Sequence, residues 1–135
     1  MKGLLADINI QGHVDHLVVL AQAEPWKDFW DYLQLTNFRF DDVGLARESL
    51  DSLIWQTCQS LELVLLTENR NNDGPDSLEA TIRTCSIATS LPVFTIANIP
   101  HLRNSQAYAN RVIEKLIESL LRIDTLRGTG RLYLP

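Results

Sequence analysis

The chain has 135 residues, an ordinary composition (45% hydrophobic, 21% charged) and a formal net charge of -5 at pH 7. That length suits one domain with a buried core of its own, and the acidic balance excludes a generic nucleic-acid coat. No apolar run approaches the roughly 18 residues of a membrane span, the start of the chain lacks a secretory-leader pattern, and Cys58 and Cys85 are too few for a disulfide framework.

Both cysteines read as reduced core thiols of a cytoplasmic protein. Charge is unevenly spread: residues 1–100 carry 6 basic and 14 acidic residues, and residues 101–135 carry 6 and 3. The basic last third is either an ordinary solvated face or a guide that steers a polyanion toward an acidic crevice.

In chain order, the first strand is expected over about residues 3–8, where Leu4-Leu5-Ala6 runs into Asp7. Val14, Leu17, Val18 and Ala21 then form a helical stripe. Pro25 suits the first turn of a second helix, whose stripe is Trp26, Phe29, Trp30 and Leu33. This spacing makes Trp26 and Trp30 core or interface residues rather than base-stacking ones. Residues 41–44 read as a turn. Leu50, Leu53, Ile54, Thr57, Cys58 and Leu61 mark a third helix, capped by Ser49 or Asp51. Trp55 lies off that stripe and reads as a dimer-contact aromatic.

A strand follows at residues 63–67 and ends in Glu68-Asn69. Residues 69–75 form a loop by composition. Asp76 or Ser77 opens a helix that runs to about Ala88, and Pro92 starts a strand over residues 93–96. A long helix is expected from about Ser105 to Ile123, and residues 124–135 read as an extended arm. Strands alternating with helices predict a single α/β domain, a three-layer α/β/α sandwich with a mainly parallel central sheet.

In such sheets, sites form at the carboxyl ends of strands. Asp7 and Glu68 close two strands, Asp51 opens a helix, and Asp73, Asp76 and Glu79 follow close behind. Converging carboxylates suit a hard divalent ion, which takes oxygen ligands and activates water. Each acid also has a plainer reading: Asp7 bonding loop amides, Asp51 and Asp76 capping helices, Glu68 solvated. His13 and His16 share a helix face at i, i+3, but no third metal ligand is evident. No phosphate loop, GxGxxG, GxSxG or Cys/His ligand set occurs.

At the acidic positions the chain resembles a family. Asp7-Ile8-Asn9 is similar to the Asp-x-Asn opening of the compact PIN-like proteins, small members of the PIN nuclease superfamily related to the VapC toxins. Residues 49–54 resemble their second motif, where an acid opens a helix. Residues 63–71 resemble their third, a strand ending in Thr-x-Asp-x-Asp, with Asn69 and Asn71 where the family has acids and Glu68 one position early. The likeness spans roughly residues 3–98.

It implies RNA cleavage with Mg²⁺ or Mn²⁺ held by Asp7 and Asp51. Glu68, Asn69, Asp73 or Asp76 would complete the site, and Asn9, Arg70 and Arg83 would contact RNA. It also implies a toxin-type nuclease with an antitoxin-like protein partner, or a homo-oligomer such as a homodimer. A second reading is a degenerate PIN-like fold acting as an oligomeric or protein-binding module, motivated by Asn69 and Asn71. A receiver-domain reading lacks the paired acid after the first strand, the phosphorylated Asp and the late Lys that it needs.

Overall fold

In the computed structural model, which describes residues 1–135, five strands build one sheet: β1 (Gly3–Ala6), β2 (Thr36–Phe38), β3 (Leu63–Thr67), β4 (Val93–Ile96) and β5 (Arg131–Leu134). All four pairings are parallel, in the order β2-β1-β3-β4-β5. β1, β3 and β4 are buried at every residue, as strands covered on both faces must be. The covering helices are α1 (Gln11–Ala21), α2 (Lys27–Leu33), α3 (Asp51–Leu61), α4 (Leu78–Cys85), α5 (Ile99–Asn104), α6 (Gln106–Leu121) and the short α7 (Ile123–Leu126). No helix is long and apolar enough to cross a membrane.

Neighbouring side chains on a strand point to opposite faces, so the sheet feeds two cores. Leu4, Ala6, Val64, Leu66, Phe94 and Ile96 pack under α1, α2 and α6 with Val14, Leu17, Trp30, Val112 and Leu116. Leu5, Leu63, Leu65 and Val93 pack on the other side with Ile54, Trp55 and Cys58 of α3 and Leu78 and Ile82 of α4. The result is the expected three-layer α/β/α sandwich. The order of the strands puts the topological switch between β1 and β3, and that is where a crevice opens in such sheets.

Several local expectations change. Trp55 is 3% exposed, whereas Leu50 and Leu53 are 58% and 52% exposed. The apolar face of α3 is therefore rotated toward Ile54, Trp55 and Cys58, because α3 must cover both the sheet and α4. Trp55 fills the core and is not a dimer contact. Phe29 is exposed on α2, while Trp30 of the same turn is buried.

β2 and α5 were not among the expected elements. β2 is a three-residue edge strand, Thr-Asn-Phe, and α1 anchors it from above. Arg39 pairs with Asp15, and Asn37 Nδ2 donates to Asp15 at 3.2 Å. α5 did have a readable signal: Asn98 caps it by accepting from the His101 N–H, and Pro100 sits in its first turn.

The tail is not a free arm. Residues 131–134 add β5 to the open edge of β4, and Leu134 is fully buried. Arg127 donates to Glu62 Oε1 at 2.8 Å and to the Thr89 carbonyl at 2.8 Å. Arg131 is engaged inside the fold as well. Two of the six basic residues in the last third thus serve internal pairs rather than guiding a polyanion.

Gly3 is required by close approach. It pairs with Thr36 on one side and Leu63 on the other, and a Cβ there would collide with the Thr36 carbonyl oxygen and the Phe38 ring. Gly3→Ala is expected to cost about 1–3 kcal/mol, seen as a lower urea midpoint with an unchanged slope. An unchanged midpoint would mean that β2 is free to move away.

Candidate functional site

β1 delivers Asp7 to the switch point, and β3 delivers Thr67, Glu68 and Asn69 beside it. The Asp7 N–H donates to the Leu66 carbonyl at 2.9 Å, one step beyond the β1–β3 ladder. The buried Thr67 hydroxyl donates to Asp7 Oδ2 at 2.6 Å and accepts from the Asn69 N–H at 2.9 Å. The Asn69 side chain then donates from Nδ2 to Asp51 Oδ2 at 3.0 Å. One hydrogen-bonded chain therefore runs Asp7–Thr67–Asn69–Asp51, joining residues from three separate segments.

Asp51 does not cap its own helix. It is the first residue of α3, and the flanking Leu50 makes no side-chain cap. Its Oδ2 accepts instead from the Leu78 N–H at 3.1 Å, at the start of α4, where unpaired amides favour an anion. The cap of α4 is Ser77, which accepts from the Ala80 N–H, so Asp76 is not the cap either.

Asn69 is bonded in every direction. Its Oδ1 accepts from the Asn71 N–H at 2.8 Å, and its carbonyl accepts from Arg131 Nη1 at 2.8 Å. Because Oδ1 must face an N–H, the amide orientation is settled by the network. The NH₂ group is the end that meets Asp51.

Asp7, Asn9, Arg47, Asp51, Glu68 and Arg70 line one cleft of about 480 Å³. Arg70 is steadied by a bond from Nη2 to the Ala97 carbonyl at 3.0 Å. Burial pushes the Asp7 carboxyl above its ordinary value, hydrogen bonds from Thr67 and Ile8 oppose the rise, and the nearby Asp51 charge adds to it. Behind the site, burial and then the Asp7 charge push the Cys58 thiol up to about 12.

The remaining expected residues lie elsewhere. Asp73 and Asp76 line an adjoining cleft of about 360 Å³ with Asp51. Neither is in the lining of the cleft that holds Asp7. Glu79 pairs with Arg131. Arg83 is exposed on α4 and lines neither cleft. Arg47 and Arg131 were missed. Neither has a local signal, since each reaches the site only through the fold.

No group of three or more His, Cys, Asp or Glu side chains forms a ready-made metal cage. A hydrated Mg²⁺ needs less, because one or two carboxylates and several waters suffice. Asp51 gives Oδ2 to Asn69 and Leu78 and keeps Oδ1 for the cleft, while Asp7 gives Oδ2 to Thr67 and also takes the Ile8 N–H. The raised Asp7 carboxyl is the group whose ionisation a cation would favour. The residues fit a weakly held hydrated divalent ion at Asp7 and Asp51, with Glu68 on the same cleft.

Cys85 is exposed in the last turn of α4, whereas Cys58 is buried. The expectation of two core thiols therefore fails at Cys85. One thiol is expected to react with a thiol reagent in native buffer and two in denaturant. Two reactive thiols in the native protein would show that α3 opens.

These features define an all-parallel α/β/α domain with a two-carboxylate cleft at its switch point. No protein-family model, no curated protein and no solved structure matches the chain.

Proposed function

We propose that the chain is a PIN-like ribonuclease domain acting on RNA phosphodiesters in the Asp7–Asp51 cleft. The observation that carries this reading is the convergence of Asp7, Asp51 and Glu68 on one cleft, with Arg47 and Arg70 beside them. Acids at strand and helix ends, flanked by guanidinium groups, suit a phosphate bridged to a cation. Asp7 and Asp51 would hold Mg²⁺ or Mn²⁺, which when bound supplies an activated water and neutralises phosphate charge. Arg47 and Arg70 would orient the phosphate, and Asn9 would contact the strand at the cleft edge. Thr67 keeps the Asp7 carboxylate aimed, and Asn69 does the same for Asp51.

One observation favours the second reading, a degenerate PIN-like binding module. Asn69 satisfies Asp51 with a neutral amide, so the site is bonded without any ion. The separating experiment is Mn²⁺ and Mg²⁺ titration calorimetry followed by an RNA digest, on wild type, Asp51→Asn and Asn69→Asp. Metal binding and cleavage by wild type, both lost in Asp51→Asn, support the nuclease. A silent wild type with activity appearing in Asn69→Asp supports the degenerate module. Cleavage unchanged in Asp51→Asn sinks the proposed site.

A further inference from the structure

The largest cleft in the molecule, about 570 Å³, is not the acidic one. It lies on the α1–α5 side of β1, and its lining includes Asn9, His13, His16 and Arg103. Asn9 lines both clefts, so the two adjoin at that residue.

The two clefts have opposite character. The lining of the larger one contains no acid and has Arg103 as its one charged residue. Asp15 lies between the two histidines in sequence, but it is turned toward β2, where it pairs with Arg39 and bonds Asn37. Gly12 adds no side chain to the mouth. Arg103 Nη2 stands 3.4 Å from His13 Nε2. A guanidinium against that nitrogen opposes a metal cation bound by His13 and His16, and it favours an anion.

We infer that this cleft is a phosphate subsite, taking a backbone phosphate of a single-stranded RNA whose neighbouring phosphate lies in the acidic cleft. The inference rests on the RNA reading above and adds the strand's path: from Arg47 and Arg70, past Asn9, to His13, His16 and Arg103. Arg103 offers a planar pair of N–H donors that matches phosphate oxygens. His16 adds an N–H donor at i, i+3 on the same helix face, while His13 Nε2 accepts from Arg103 and holds the guanidinium in the cleft. A single strand is the fitting form, since a path along an open groove reads the backbone and leaves the bases free.

The test is fluorescence anisotropy with a short fluorescein-labelled single-stranded RNA in EDTA, so that binding is read without any metal. The full chain is compared with Arg103→Ala, Arg103→Lys and His13→Ala/His16→Ala. Arg103→Ala should raise Kd about tenfold and lower the salt slope by about 0.7. Arg103→Lys should recover part of the loss, because it keeps the charge but not the fork. The double histidine variant should weaken binding.

Arg103 and His16 are exposed, and circular dichroism checks that each variant folds. An unchanged Kd and salt slope in Arg103→Ala would overturn the subsite. A mononucleotide that binds as tightly as the RNA would overturn the strand path. The ribonuclease reading fails separately, as RNA binding that depends on Arg103 without cleavage in Mn²⁺. Cleavage and binding that both ignore Arg103 would sink the subsite alone.

Discussion

Arg131→Ala is expected to cost about 3–5 kcal/mol, a large share of the roughly 5–15 kcal/mol that holds a domain together. The side chain is 7% exposed and reaches from β5 across the sheet end. Nη1 donates to Thr95 Oγ1 at 2.6 Å and to the Asn69 carbonyl at 2.8 Å, and Nε donates to Glu79 Oε2 at 3.0 Å. Nη2 lies 2.9 Å from the same Glu79 oxygen and makes no hydrogen bond of its own. Truncation leaves a fully buried Thr95 hydroxyl, a loop carbonyl and a carboxylate without their donor.

The loss should reach the site as well, because the loop that Arg131 holds is the one in which Asn69 meets Asp51. Urea unfolding of Arg131→Ala, Glu79→Ala and the double variant measures the coupling. A single-variant cost below about 1 kcal/mol, the range of an exposed pair, would show that the guanidinium is not the link. The C-terminal strand is thus part of the site's support, and removing residues 131–135 should damage the cleft before it changes any self-association.

Asp7→Asn is expected, in chelator-treated protein, to stabilise the fold by about 1 kcal/mol and, on the proposed ribonuclease reading, to abolish metal-dependent cleavage. The two effects have one cause. Asp7 is partly buried beside Asp51, and its carboxyl is raised mainly by desolvation. A carboxyl raised in the folded state holds its proton more tightly than in the unfolded chain. Stability therefore falls as pH rises from the ordinary value of 3.8 through the folded value.

The Asn side chain carries no such charge and still offers an oxygen to the Thr67 hydroxyl. The stability gap between Asp7→Asn and wild type should be widest at neutral pH and close as pH falls toward 3.8. Urea midpoints at several pH values check this. A variant less stable than wild type at neutral pH would mean that Asp7 is a structural acid whose hydrogen bonds outweigh its burial. Loss of activity with gain of stability is the signature of a group kept for chemistry.

Much of the frame was legible locally. Leu4-Leu5-Ala6 and Leu63–Thr67 are short continuous apolar runs, which mark central strands, and the stripes of α1 and α6 follow the helical period. The acids Asp7, Asp51 and Glu68 could be placed because each sits at a boundary between elements. Short β2 escaped because Thr36-Asn37-Phe38 has neither an apolar run nor a clear alternation. Its place depends on Asp15 and Arg39 far away in the chain. The tail escaped for a different reason. Arg131-Leu132-Tyr133-Leu134 does alternate, but only the open edge of β4 makes it a strand.

By itself, the order of residues determined the parallel α/β/α architecture and the boundary positions of the acids, since both follow from hydrophobic period and chain reversal. Only the tertiary structure decided which polar groups meet. Asp7 and Thr67 are 60 residues apart, and Asn69 and Arg131 are 62 apart. Pairings at that range depend on strand order, and strand order is settled when the two cores pack, not by any local pattern. The switch between β1 and β3 brings Asp7 and Asp51 to one cleft, and the same packing sets Asp73 and Asp76 in the adjoining cleft that shares Asp51.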